Sequence, residues 1–139
     1  MEKRQRIVWI DDEIGTSILE PYVDEFDDNE IDVVKVDNVD GVIPRLKEEL
    51  QQSLSAIIVD IIMPPGKCDF NETSGGLRTG IVVLKEILND DSFKNVTKIV
   101  VTNVDDEKVR DFCKGYGIQC LKKDEYFSDS LVERIMSLI

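Results

Sequence analysis

The 139-residue chain contains no histidine. That absence excludes Ser-His-Asp and Cys-His catalysis, histidine-ligated metals and a role as a phosphohistidine carrier. Cysteine is scarce. Cys68, Cys113 and Cys120 are odd in number and show no CxxC spacing, so they read as inert, reduced thiols of a cytosolic protein. Basic residues are in deficit, with 17 Lys and Arg against 29 Asp and Glu, for a formal charge of -12. Such a balance repels phosphate backbones and argues against a basic nucleic-acid-binding face. No apolar run is long enough to span a bilayer and no secretory signal opens the chain. Repeats, low-complexity tracts and interdomain linkers are also missing. What remains is one domain, expected over 1–139, with 42% hydrophobic residues and enough length for a core without staples.

Short apolar runs alternate with helix-period segments. The runs are 7–10, 31–36, 56–59, 99–101 and 118–121, and the first four are rich in β-branched residues. Between them, Val39, Val42, Ile43, Leu46 and Leu50 fit one helical face, and Ile81, Leu84, Ile87 and Leu88 another. Leu131, Ile135, Met136 and Ile139 form a third face, and Val109, Phe112 and Cys113 a weaker stripe over 105–116. The first helix is expected over 17–27, with Pro21 fitting only in its first turn or at a kink. Five strand–helix pairs in strict alternation predict an α/β fold, an open parallel sheet with helices on both faces. The natural order is the flavodoxin-like 2-1-3-4-5, with the functional site at the carboxyl ends of the strands.

The first run ends in Asp11, Asp12 and Glu13, the third in Asp60, the fourth in Thr102 and the fifth in Lys122 and Lys123. The first and third strands are neighbours in that order, so Asp11, Asp12 and Asp60 converge. Two unit charges about 4 Å apart repel by roughly 4 kcal/mol at an effective dielectric of ~20, so the cluster needs a cation or a proton. Oxygen ligands alone select Mg²⁺. A lysine and a hydroxyl beside that ion suit phosphoryl transfer, with the solitary Asp60 as acceptor and Asp11 and Asp12 as metal ligands. Taken singly, each signal has a plainer reading. The acids would be helix-start charge, Thr102 a cap before Asp105, Asp106 and Glu107, and Lys123 a surface lysine.

The strings Ile-Val-Trp-Ile-Asp11-Asp12-Glu13, Val-Asp60-Ile-Ile-Met-Pro64, Val-Val-Thr102 and Cys-Leu-Lys-Lys123 together resemble the receiver domain of two-component response regulators. The resemblance covers nearly the whole chain. It implies that Asp60 accepts a phosphoryl group from the phosphohistidine of a sensor histidine kinase or phosphotransfer protein. It further implies that Asp11, Asp12 and Asp60 bind Mg²⁺ with the Ile62 backbone carbonyl, and that Thr102 and Lys123 contact the phosphoryl group. Such a domain is cytoplasmic, contacts neither membrane nor nucleic acid directly, and catalyses only its own phosphorylation and dephosphorylation. Lys122 is the rival for the lysine role, since alternation sends only one of the pair into the pocket. Three positions depart from the pattern: Asn103 where a small residue is usual, Cys120 where an aromatic is frequent, and Asp124 where proline follows the lysine. They motivate the alternative of a degenerate receiver, a protein-interaction module that works without phosphorylation. The chain ends where the fifth helix finishes, which fits a stand-alone receiver or one cut from a longer protein.

The largest departure is an extended loop at about 64–79, between the third strand and the third helix. Gly75, Gly76 and Gly80 are expected to turn the chain back. The content is mostly polar and predicts a surface segment, either a tolerated insertion or a lid or docking element beside the pocket. Arg78 is positioned to reach an anionic group there.

Overall fold

Each apolar run becomes part of a strand: the central strands are nearly all apolar because both faces are covered, while the edge strands admit Asp32, Lys35, Gln119 and Lys122. The computed structural model describes residues 4–139; residues 1–3 of the expected domain lie outside the described residues. The strands are β1 (Gln5–Ile10), β2 (Ile31–Val36), β3 (Leu54–Val59), β4 (Thr97–Thr102) and β5 (Gln119–Lys122). All neighbours pair in parallel, in the order β2-β1-β3-β4-β5. The helices are α1 (Glu20–Asp28), α2 (Val42–Leu50), α3 (Thr79–Leu88), α4 (Glu107–Gly115) and α5 (Ser128–Met136).

Strand alternation divides the core between the two faces of the sheet. Val8, Ile10, Ile57, Val59 and Val100 pack against Leu46 of α2, Leu84 and Ile87 of α3, and Val109 and Cys113 of α4. Ile7, Trp9, Ile58, Ile99 and Val101 pack against Phe26 of α1 and Leu131, Val132 and Ile135 of α5. Trp9 is fully buried and meets Tyr22 and Phe26 edge-on, both with centroids 6.1 Å away.

Several boundaries differ from the sequence reading. The first helix starts at Glu20, three residues later than expected, and Pro21 sits in its first turn, where the missing N–H costs nothing. The fifth strand begins one residue late, with Ile118 buried just ahead of it. Ile139 lies beyond the end of α5. The cap of α4 is Asp106, whose carboxylate accepts from the Lys108 amide at 2.8 Å, so Thr102 is free of that duty.

The segment between β3 and α3 lacks a helix or strand yet is internally bonded. Asp69 Oδ1 accepts from the amides of Asn71 and Glu72, at 2.8 and 2.9 Å. Thr73 is buried and its hydroxyl donates to the Asp69 and Phe70 carbonyls. Gly75 (φ 67°) and Gly76 (φ 106°) turn the chain, as expected of glycine. Gly80 makes no turn. It is the second residue of α3, where its amide donates to the Ile61 carbonyl at 2.9 Å. A Cβ there would overlap the Asp60 carbonyl oxygen, so glycine is required by close approach. Two contacts anchor the segment at its ends: the Lys67 amide donates to Asp40 Oδ1 at 2.7 Å, and Arg78 pairs with Asp106 at 2.7 Å.

Candidate functional site

Sheet pairing continues past the strand ends and sets the site. The Asp11 amide donates to the Val36 carbonyl and the Asp60 amide to the Ile10 carbonyl, both at 3.0 Å. Adjacent parallel strands thus deliver Asp11 and Asp60 to the same edge. Asp11 is wholly buried and Asp60 is nearly so, while Asp12 is exposed. Each of the three offers a carboxylate oxygen within 4.8 Å of the others. Asp12 and Asp60 line a cleft of about 280 Å³ together with Glu13, Ile62, Thr102 and Lys123.

Of the two adjacent lysines, Lys123 enters this site. Its Nζ donates to Asp11 Oδ2 at 2.7 Å and to Asp60 Oδ2 at 3.2 Å. Lys122 ends β5 beside Thr102 and, among the described residues, its ion pair is with Asp124 at 4.0 Å. The cause is local: β5 stops at Lys122 and Lys123 opens a single 3₁₀ turn that bends its side chain inward.

The electrostatics follow the geometry. Burial pushes the Asp60 carboxyl above its ordinary range and the Asp11 charge adds to that push; Lys123, Thr102 and the Ile61 amide act against it. The Ile61 amide donates directly to Asp60 Oδ1 at 2.8 Å. Partial burial, and then the neighbouring charge of Asp11, raise Asp12. For Lys123 burial alone would lower the pKa, yet Asp60 and Asp11 outweigh it and hold the ammonium above its usual value. One ammonium therefore faces three carboxylates, a deficit of positive charge in a half-desolvated pocket. Donors that are all oxygen, with negative charge in excess, fit a hard divalent cation such as Mg²⁺. Asp11, Asp12 and Asp60 are the groups that could hold it, and Ile62, whose carbonyl was the expected fourth ligand, lines the same cleft.

Thr102 is buried at the end of β4, and its hydroxyl faces Asp60 while accepting from the Val104 amide at 3.3 Å. Glu13 lines the cleft, its amide held by Asp11 Oδ1 at 2.9 Å. The 65–78 segment contributes no wall to this cleft, and Arg78 reaches Asp106 at the start of α4 instead of the pocket carboxylates. A further contact was invisible in the sequence. Asn103 Oδ1 accepts from the Asp124 amide at 3.0 Å, so two residues that depart from the receiver pattern are bonded to each other. Where proline follows the lysine there is no N–H to satisfy; here there is one, and Asn103 satisfies it.

No protein-family model matches the chain, and no curated protein matches it. Solved structures do. Chemotaxis protein CheY4 of Vibrio cholerae superposes with a TM-score of 0.71 at 14% identity, covering 99% of this chain and 100% of that one. A CheY-like response-regulator receiver domain protein from Methanospirillum hungatei gives 0.70 at 18%, covering 97% and 93%. A signal receiver domain of a two-component histidine kinase from Clostridium thermocellum gives 0.67 at 21%, covering 96% of each chain. The architecture is thus the five-stranded flavodoxin-like one with order 2-1-3-4-5. More particularly, it is the CheY-like fold of response-regulator receiver domains over nearly the whole chain. Among the described residues no helix is long and apolar enough to cross a membrane.

Proposed function

We propose that the protein is a phosphoacceptor signalling domain in which Asp60 takes a phosphoryl group from the phosphohistidine of a partner kinase or phosphotransfer protein. The observation that carries this reading is the convergence of Asp11, Asp12 and Asp60 around one lysine, Lys123, at the carboxyl edge of the sheet. An Asp60 carboxylate oxygen attacks phosphorus as the phosphorus–nitrogen bond of the donor breaks, leaving an acyl phosphate. Lys123, already 3.2 Å from Asp60, moves its charge onto the transferred oxygens. The Thr102 hydroxyl donates a further hydrogen bond there. When bound, Mg²⁺ supplies the remaining positive charge for those oxygens. Asp11 keeps Lys123 aimed at the pocket, and the nearly buried setting of Asp60 limits hydrolysis by water. The reaction is self-modification, not turnover, and its setting is the cytoplasm, where phosphohistidine donors are presented.

The test is intact mass after incubation with acetyl phosphate and Mg²⁺. The native protein is expected to gain one phosphoryl group, and to gain none without Mg²⁺ or as Asp60→Asn. Label that persists in Asp60→Asn moves the acceptor elsewhere. No label in the folded native protein favours the phosphorylation-independent interaction module.

Asn103 is expected to matter through Lys123. Asn103→Ala leaves the Asp124 amide to water, a cost of about 1 kcal/mol at an exposed position, and frees the turn that aims the ammonium. The initial phosphorylation rate with acetyl phosphate should fall severalfold, and Asn103→Asp, which keeps an acceptor, should restore it. Equal rates in Asn103→Ala and the native protein would remove Asn103 from this role.

A further inference from the structure

Two of the three cysteines come together in the fold. Cys113 is on the inner face of α4, buried to 1% exposure, and Cys120 is in β5 beneath it. Both belong to the same packed layer on one side of the sheet. Their backbones are drawn close by the turn between them, where the Ile118 amide donates to the Cys113 carbonyl at 2.8 Å. Each is the strongest influence on the other: Cys113 is what most lowers the Cys120 thiol, and Cys120 is what most raises Cys113. Cys120 also opens onto solvent. It lines a cleft of about 230 Å³ together with Arg110, Tyr126, Val104 and Thr102. Burial works against that lowering, and Arg110, itself paired with Asp105, adds positive charge that favours the thiolate. A half-buried thiol of lowered pKa beside a cation, with a second thiol in the same layer, is the arrangement of a reactive and a resolving cysteine. Cys68 has the opposite environment: burial, and then the charges of Glu86, Asp40 and Glu72, raise its thiol.

We propose that Cys113 and Cys120 are a redox-active pair which hydrogen peroxide closes into a disulfide stapling α4 to β5. The Cys120 thiolate attacks a peroxide oxygen; a sulfur–oxygen bond forms, the oxygen–oxygen bond breaks, and the departing hydroxide takes a proton to become water. Oxidation removes the Cys120 charge, and with it the main restraint on the Cys113 proton. Cys113 then loses that proton and attacks the Cys120 sulfenic sulfur. The sulfur–sulfur bond forms, the sulfur–oxygen bond breaks, and a second water leaves. In sum, two thiols are oxidised and one peroxide is reduced to two waters. The bond fixes α4 against β5 directly behind Thr102, which lines both this cleft and the acidic one.

The experiment treats the full chain with hydrogen peroxide and reads intact mass and peptide maps without reductant. The mass should fall by two hydrogen atoms, a 113–120 cross-link should appear, and dithiothreitol should reverse both. Cys120 should be consumed on the order of tenfold faster than Cys68. Cys113→Ala, a small apolar replacement that keeps the helix packed, should leave a Cys120 sulfenic acid that dimedone traps. Cys120→Ser should abolish the cross-link. Consumption of Cys68 as fast as Cys120, or direct passage of Cys120 to sulfinic acid with no 113–120 link in the native protein, overturns the proposal.

Discussion

Gly80→Ala is expected to destabilise the protein by about 3 kcal/mol, the upper end of what overpacking costs. The added Cβ would overlap the Asp60 carbonyl oxygen and lie 2.7 Å from Ile61 Cα, and both obstacles are backbone. No rotamer change relieves such a clash. Either α3 lifts off β3, breaking the bond from the Gly80 amide to the Ile61 carbonyl, or β3 shifts and carries Asp60 with it. Urea denaturation should show the midpoint falling with an unchanged slope. Gly115→Ala is the control: it ends α4 with nothing within 4 Å of the new Cβ. There alanine should be neutral or stabilising by a few tenths to ~1 kcal/mol. The same substitution is thus expected to act with opposite signs at two helical positions. Equal effects at both would mean that α3 does not press on the acceptor strand.

Lys123→Ala should cost about 3 kcal/mol near neutral pH, since removing one partner strands a buried charge. Asp11 is fully buried and Asp60 nearly so, and Lys123 is their shared cation. The deficit should shrink on acidification. Asp60 has a raised pKa in the folded protein, so its contribution favours folding most at low pH and is lost as pH rises through that raised value. Without Lys123 that value climbs further, and protonation relieves more of the strain. In the native protein the lysine's own contribution is present below about 10.4, the unfolded value, and disappears only as pH passes its still higher folded one. Mg²⁺ should stabilise Lys123→Ala more than it stabilises the native protein, because a second cation then meets no resident one. Lys122→Ala, which loses an ion pair at 4.0 Å to exposed Asp124, should stay within about 0.5 kcal/mol of native. Thermal scans with and without Mg²⁺ decide this, and a larger loss in Lys122→Ala would falsify the assignment.

The strands and the acids were readable because their causes are local. A buried parallel strand must be apolar, and the residue that ends it is the first permitted to be charged. Asp60 after Val59, and Asp11 after Ile10, declare themselves by that break in pattern. The lysine was ambiguous because alternation could select either Lys122 or Lys123, and the bend that decides between them depends on where β5 stops. Gly80 was misread for a related reason. Glycine signals either a turn or a close approach, and only the neighbouring backbone tells which. The partners of Arg78 and Asn103 could not be read at all: Asp106 lies 28 residues from the first and Asp124 lies 21 from the second. No sequence period carries such pairings. The internal order of the insertion was hidden because it rests on consecutive backbone turns and on side-chain-to-backbone bonds from Asp69 and Thr73, with no helix or strand period to announce it.

That insertion has a mechanical consequence. At one end it grips Asp40, in the connection between β2 and α2; at the other it grips Asp106, where α4 begins. A minimal turn leaving β3 would have too little reach to hold both anchorages. The extra residues therefore serve as span, and the internal bonding keeps that span from stretching. Three successive strand-to-helix connections are tied in series across the carboxyl edge of the sheet, like a belt drawn over three posts. A displacement of the α4 post loads the belt through Arg78, and the strain is delivered at Asp40, on the far side of β3. Thr73 and Thr79, both fully buried, and Cys68, packed against the core, seat that belt on the layer beneath it.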